Sequence, residues 1–150
     1  MMSVEETIVH PSVSVKLNVV NVKMSRQIGQ AVQKLANLRL PEWRILALLA
    51  EVGSLSQADI RNQIGMDKGQ ISRTVKNMLA NELVTSESGS AKTRNVRLSL
   101  TEKGVSVHQQ VGVMMERRNA ELLGSLTQEQ KAFFFEGLER IEQAVDRWSA

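Results

Sequence analysis

The chain has 150 residues, a formal net charge of +3 at pH 7 and no cysteine, which excludes disulfides, thiolate metal sites and cysteine nucleophiles. Its longest apolar run, Ile45 to Ala50, is far shorter than the roughly 20 residues that span a bilayer, and the acidic start MMSVEETIVH lacks the basic character of a signal peptide. We therefore expect a globular, cytoplasmic protein without a membrane segment.

The first predicted elements are an N-terminal arm over residues 1–14 and a helix over residues 15–38. The arm is polar, acidic and broken by Pro11. The helix follows from apolar residues that recur every three or four positions, namely Leu17, Val20, Met24, Ile28, Ala31 and Leu35. The alternation of β-branched residues in SVSVKLNVV also fits extended backbone, so the conformation of residues 13–20 is left open between helix and strand.

Three further helices are predicted between residues 41 and 81. Pro41 suits the start of an apolar second helix that ends at Gly53. Ser56 with Asp59 forms a capping-box pattern for a short third helix, and Asp67 repeats the pattern with Gln70 for a fourth. The buried side of the fourth helix is predicted to be formed by Ile71, Val75, Met78 and Leu79.

The rest of the chain is predicted to form a hairpin and two long helices. LVTSE and NVRLSL are typical of short strands, joined by a turn over residues 88–93. Thr101 begins a helix that runs to about Leu123, and Thr127 with Gln130 caps a last helix. The fold class is therefore mainly α with a small β-hairpin wing: a winged helix-turn-helix domain over residues 40–101, flanked by long helices over residues 15–38 and 102–150.

The positive charge is concentrated in the middle of the sequence. Between residues 68 and 97, six lysines and arginines stand against two glutamates, a net +4, so the rest of the chain sums to −1. Such a concentration is typical of a nucleic-acid surface. Two short capped helices joined by about three residues form a helix-turn-helix, whose second helix fits the major groove of DNA.

The candidate DNA-binding residues lie on three parts of this motif. On the fourth helix we assign base contacts to Gln70, Ser72 and Arg73, and phosphate contacts to Lys76 and Asn77. Gly69 would allow the backbone to approach the DNA closely, and Lys68 lies on the same cationic face. On the wing the candidates are Lys92 and Arg94. At the positive end of the third helix, Ser56 and Gln57 are candidates for a phosphate contact.

The order of LPEWRILALLAE, LSQADIRNQIGMDKGQISRTVKNMLANELV, a wing and LSLTEKG resembles the MarR family of winged-helix transcriptional regulators over roughly residues 17–148. The resemblance implies a homodimer on a pseudo-palindromic double-stranded operator, usually a repressor, and in many members release by a small aromatic or phenolic effector. The family's wing carries Asp-x-Arg where this chain has Lys92, Thr93 and Arg94. The acid that would hold the wing arginine in the family is therefore replaced by a lysine.

Two interpretations remain open. Apolar stripes on residues 15–37, 102–123 and 127–148 exceed what one small domain can cover, which independently favours a homodimer. The leading interpretation is that this homodimer regulates transcription. The alternative is a winged-helix module for protein–protein assembly in which DNA binding is weak or lost.

The sequence has two histidines and no recognisable catalytic motif, so we expect no enzyme activity, no metal site and no cofactor.

Overall fold

The computed structural model describes residues 12–87 and 96–148 of the chain. These residues form six helices and three short strands, in the order α1 Val13–Ala36, α2 Leu40–Val52, β1 Ser54–Ser56, α3 Gln57–Ile64, α4 Lys68–Ala80, β2 Val84–Glu87, β3 Arg97–Leu100, α5 Glu102–Leu123 and α6 Gln128–Trp148. The strands make one antiparallel sheet in the order β1-β3-β2. The predicted fold class, mainly helical with a small winged sheet, is confirmed.

The chain divides into two compact units, and the division falls inside α5. The first unit is Met1–Val111 and contains α1 to α4, the sheet and the start of α5; the second is Gly112–Ala150 and contains the rest of α5 and α6. The predicted limits of the DNA-binding domain and of the flanking helices stay predictions.

The core of the first unit is built around α2. Ile45, Leu46 and Leu49 are almost completely buried, together with Ile60 of α3 and Met78 of α4. Residues of this kind each stabilise the fold by about 1.5 to 3 kcal/mol when fully buried. The second helix, predicted to be apolar, therefore lies at the centre of the helix-turn-helix unit and holds it together.

Three consecutive residues at the start of α2 contact three different helices. The carboxylate of Glu42 accepts a hydrogen bond from Asn77 of α4. The Trp43 ring stacks on His108 of α5, with 5.4 Å between ring centroids, and Arg44 donates to the Ser25 hydroxyl of α1 at 2.9 Å. This tripeptide therefore ties α4, α5 and α1 to one turn of α2.

Residues 13–20 are helical, so the extended alternative is wrong. The β-branched side chains in this segment lower helix propensity only slightly, and α1 continues without interruption to Ala36. The buried residue of α1 is Val32, whereas Leu17, Val20 and Leu35 of the predicted stripe are exposed. Most of that stripe is therefore not used in the core of this unit.

The buried side of α4 differs in one residue from the prediction. Ile71, Val75 and Met78 are buried, but Leu79 is 38% exposed and Thr74 is buried instead. On the helical wheel, Thr74 and Leu79 flank the buried stripe on opposite sides, so packing against the rest of the core decides which of them is covered. The Thr74 hydroxyl donates to the Gln70 carbonyl at 2.9 Å, which lets a polar residue occupy the core side.

The strand β1, Ser54–Ser56, was missed by the sequence analysis. It pairs with β3 in a register that places Leu55 opposite Leu98, and both side chains are buried. Three residues are too few to show an alternating pattern, and the partner strand lies far away in the sequence. The sheet therefore has one strand more than the predicted hairpin.

In the second unit, α6 begins at the predicted cap. The Thr127 hydroxyl accepts from the Gln130 amide at 3.2 Å, and the Gln130 side chain accepts from the Thr127 amide at 2.9 Å. None of the residues of α6 is buried, although it carries an apolar row that includes Phe134, Ile141 and Trp148. No helix in the described part of the chain is both long and apolar enough to cross a membrane.

Candidate nucleic-acid interface

The turn between α3 and α4 is set by local sequence. Gly65 follows α3 with φ of 74°, a left-handed conformation that glycine adopts without steric cost, and its amide donates to the Arg61 carbonyl at 2.9 Å. Met66 is buried, which anchors the turn, and Asp67 opens α4. Three residues thus separate the two helices, as the helix-turn-helix pattern predicts.

Both helices of the motif have side-chain caps at their N-termini. The Ser56 hydroxyl accepts from the Asp59 amide at 3.1 Å and donates to the Asp59 carboxylate at 2.6 Å. The Asp67 carboxylate accepts from the Gln70 amide at 2.7 Å. Because the Ser56 hydroxyl is engaged inside the cap, the phosphate contact assigned to Ser56 and Gln57 at this end of α3 stays a prediction.

One face of α4 is exposed and carries only neutral polar or cationic side chains. Its residues are Lys68, Gly69, Gln70, Ser72, Arg73 and Lys76, all of them exposed. The opposite face is held in the core by Ile71, Val75 and Met78. The first two turns of a rigidly packed helix therefore present a cationic surface, as expected of an element that enters the major groove.

Gly69 provides space for the Arg73 guanidinium. A Cβ at position 69 would lie 3.3 Å from Arg73 Nη1 and 3.3 Å from Asp67 Oδ1. The arginine therefore passes over the first turn of α4, next to the capping carboxylate. This gives Gly69 a role beyond the predicted close backbone approach, because a side chain there would crowd Arg73.

Asn77 is part of an internal contact. Its side-chain amide donates to the buried carboxylate of Glu42, 35 residues away in the sequence, and the residue is only partly exposed. Asn77 therefore links α4 to α2. A phosphate contact by Asn77 stays a prediction and now competes with this structural role.

The tip of the wing, with Lys92 and Arg94, lies outside the described residues. At its base, Arg97 of β3 donates through Nε to the Ser54 hydroxyl at 2.9 Å and through a second nitrogen to the Ser54 carbonyl. The wing strand is thus fastened to β1, immediately before α3. Sequence reasoning gave Arg97 no role because Ser54 is distant in the sequence.

Arg39 is a second cation that the sequence analysis did not single out. It stands just before α2 and lines a hollow of about 320 Å³ whose other residues include Gln70 and Arg73 of α4. A single arginine just before a helix carries no periodic signal, so only the packing of α2 against α4 reveals this position. Within the described ranges, no group of three or more His, Asp or Glu residues could hold a metal ion.

A family model described as MarR family matches residues 30–94, which include the helix-turn-helix and the base of the wing. Over this segment the chain is similar to the MarR family. This agrees with the resemblance noted in the sequence and extends over the exposed face of α4.

Individual proteins are also similar to this chain in sequence or in structure. A curated relative, an uncharacterized HTH-type transcriptional regulator of Bacillus subtilis named YwoH, is 26% identical over 128 residues, which cover 79% of this chain and 93% of YwoH. Among solved structures, a MarR family transcriptional regulator from Listeria monocytogenes complexed with a 26-mer DNA has a TM-score of 0.82, with 20% identity and 93% coverage of both chains.

NadR in complex with 4-hydroxyphenylacetate has a TM-score of 0.77 to this chain, with 24% identity, and the match covers 88% of this chain and 93% of NadR. At such low identity, the structural likeness shows the shared fold.

Proposed function

We propose that this protein is a homodimeric regulator of transcription of the MarR family, which binds double-stranded DNA at a pseudo-palindromic operator and represses the adjacent genes. The observation that carries the proposal is the exposed, acid-free face of α4, which the core fixes in a winged-helix frame. The complex of the Listeria relative with a 26-mer DNA supports DNA as the partner.

Within this proposal, the two ends of the exposed face have different roles. Gln70, Ser72 and Arg73 lie in the first two turns of α4 and read base edges, where arginine suits guanine and glutamine suits adenine. Lys68 and Lys76 neutralise phosphates on either side of the groove. Lys92 and Arg94 contribute wing contacts on the evidence of the sequence alone.

Exposed apolar side chains support the homodimer. In the first unit they lie on α1, where Val13, Val15 and Leu17 are exposed; in the second they lie on α6, where Phe134 and Ile141 are exposed. Apolar rows of this length are a risk for aggregation unless another molecule covers them, and a second copy of the chain is the simplest cover. A two-fold dimer then presents two copies of α4 to successive turns of one DNA face.

Regulation by a small aromatic or phenolic effector completes the proposal. Its support is the match to the MarR family model and the NadR complex with 4-hydroxyphenylacetate. A direct test titrates 4-hydroxyphenylacetate and related aromatic acids into the protein–operator complex and follows release of a labelled duplex. Since an effector must prefer the free form of the protein, a responsive compound must also raise the melting temperature of the protein without DNA.

The decisive experiment is selection of bound duplexes from a random pool by the purified protein. We expect enrichment of an inverted repeat whose half-sites lie about one helical turn apart, since each protomer of a dimer places one α4 in the groove. The salt dependence of the protein's affinity for the selected duplex then separates a DNA-binding regulator from a protein-assembly module. Several phosphate contacts give a steep loss of affinity with salt on selected and random DNA, whereas a protein-assembly module shows no enrichment and no slope.

A further inference from the structure

The exposed guanidinium of Arg39 lies beside the candidate recognition helix. Arg39 is the residue that precedes α2, and its side chain is 64% exposed. It lines the same hollow as Pro41 and Glu42 on one side and Gln70, Arg73 and Thr74 of α4 on the other. Two arginines from different helices, Arg39 and Arg73, therefore border one opening next to the exposed face of α4.

A buried carboxylate holds Arg39 in this place. Glu42 Oε2 accepts from the Arg39 backbone amide at 2.7 Å, and Glu42 Oε1 accepts from Arg39 Nη2 at 3.3 Å. The Glu42 side chain is only 4% exposed, and Asn77 of α4 donates to the same Oε1 atom. The tether that orients Arg39 is therefore also the tether that joins α2 to α4.

Most of the donor capacity of Arg39 remains available. A guanidinium has five N–H donors, and the ion pair with Glu42 is made through Nη2. A pair that is open to water on its cationic side is weak, so its exposed nitrogens can exchange water for another anion at low cost.

The geometry of the major groove decides which anion Arg39 would meet. The groove is about 12 Å wide and admits one helix, so α4 fills it and a residue on a neighbouring helix lies at its wall. That wall is the phosphodiester backbone. We propose that Arg39 is an additional phosphate contact, supplied by the start of α2 and kept next to α4 by Glu42; the inference rests on the DNA-binding function proposed above.

The test measures affinity against salt concentration for the full-length protein and its Arg39→Gln variant, on the selected operator and on a random duplex. A dimer loses one phosphate contact in each protomer, so the slope of log K against log[salt] should become shallower by about 2. The loss of affinity should be similar on both duplexes, because phosphates carry no sequence information. Arg39→Lys keeps the charge and should retain most of the slope.

A matched control is Arg117→Gln. Arg117 is also an exposed arginine, it donates to Glu121 on the same helix at 3.2 Å, and it lies on α5 outside the helix-turn-helix. We expect its slope to equal that of the unmodified protein. A partly misfolded Arg39→Gln sample would shift log K by the same amount at every salt concentration, so the slope reports the contact even if the variant is less stable.

The outcomes separate the two proposals. A flat salt dependence of the unmodified protein on both duplexes overturns DNA binding and the role of Arg39 together. A steep dependence that Arg39→Gln leaves unchanged overturns the role of Arg39 alone and reduces this arginine to a partner of Glu42. A shallower slope in Arg39→Gln, together with the steep slope of the unmodified protein in Arg39→Lys and Arg117→Gln, supports the contact.

Discussion

Gly104, in the first turn of α5, packs directly against the backbone carbonyl of Leu83, and a Cβ at position 104 would overlap that oxygen. Leu83 lies at the start of the wing, where its carbonyl also accepts from the Thr101 amide at 3.2 Å. The Thr101 hydroxyl caps α5 by accepting from the Gly104 amide at 3.0 Å. The wing and α5 are thus joined through backbone groups, which cannot move aside as a flexible side chain could.

We predict that Gly104→Ala lowers the free energy of unfolding by about 1 to 3 kcal/mol, the usual cost of overpacking, although alanine is the better helix former. Gly112→Ala on the same helix is the control, since nothing lies within 4 Å of the added carbon. For Gly112→Ala we expect the free energy of unfolding to rise by up to about 1 kcal/mol from helix propensity alone. Urea denaturation of both variants measures the contrast, and equal stabilities would contradict the close packing at position 104.

Local features of the sequence were sufficient to predict most helix boundaries. Ser56, Asp67 and Thr127 each cap the helix expected of them, because a capping pattern involves residues only three positions apart. The exposed face of α4 could be predicted for the same reason, since one helical period assigns its sides.

Contacts between distant residues could not be predicted from one sequence. The bond from Asn77 to Glu42 and the pairing of Ser56 with Arg97 depend on how whole helices and strands pack. Asn77 looked like a phosphate contact because its position on α4 fits one. Arg39 was overlooked because nothing near it in the sequence indicates that Arg73 lies on the other side of the same hollow.

Replacing Arg73 with alanine tests base reading by α4. Its guanidinium lies over Gly69 in the first turns of the helix, the part that reaches base edges in a helix-turn-helix complex. We expect Arg73→Ala to cost about 1 to 3 kcal/mol on the operator in each half-site and to relax the preference at one base position. Competition binding on operators with single-base changes measures both effects, with Arg117→Ala as control. Unchanged affinity for the operator would remove Arg73 from the reading surface.

Asn77→Ala separates two interpretations of one residue. Loss of the Asn77 amide leaves the buried Glu42 carboxylate with fewer donors, which should lower stability by about 1 to 3 kcal/mol. If Asn77 instead contacts a phosphate, the affinity for DNA should fall by a similar factor on the operator and on a random duplex, because phosphates carry no sequence information. Because the structure engages the amide with Glu42, we expect lower stability and unchanged affinity of the folded protein. Thermal unfolding and DNA titration of the same preparation give both readings.

A charge on the apolar row of α6 tests the homodimer. Ile141 is an exposed apolar residue of that row, and Ile141→Asp would place a carboxylate in each protomer of a symmetric interface. Loss of two buried isoleucines alone should raise the dissociation constant of the dimer by roughly 100-fold or more. Gln143→Asp adds the same acid about half a turn away and should leave the dimer intact. Sedimentation equilibrium decides the matter: a dimer that survives Ile141→Asp unchanged means that this row is not the interface.

The last prediction concerns the acid at the start of α4. Asp67 accepts from the Gln70 amide at 2.7 Å, yet its carboxylate also stands within the cationic surface that we assign to DNA. The Asp67→Asn variant would keep the cap, since asparagine is as good as aspartate at this position, and would lose only the interaction of the charge with the helix dipole, up to about 1 kcal/mol. Removal of the negative charge should strengthen DNA binding by about 0.3 to 1 kcal/mol in each half-site, the range of a surface charge interaction.

Two variants distinguish the charge of Asp67 from its cap. Asp67→Asn should bind operator and random duplex more tightly and lose only the charge–dipole interaction, whereas Asp67→Ala should lose about 1 kcal/mol more stability because it also loses the cap. The gain in affinity for operator and for random duplex should shrink as salt rises, because exposed charges are screened beyond about 10 Å at 0.1 M salt. Unchanged binding by Asp67→Asn at low salt would show that the carboxylate faces away from the DNA, and would require a different orientation of α4 in the groove.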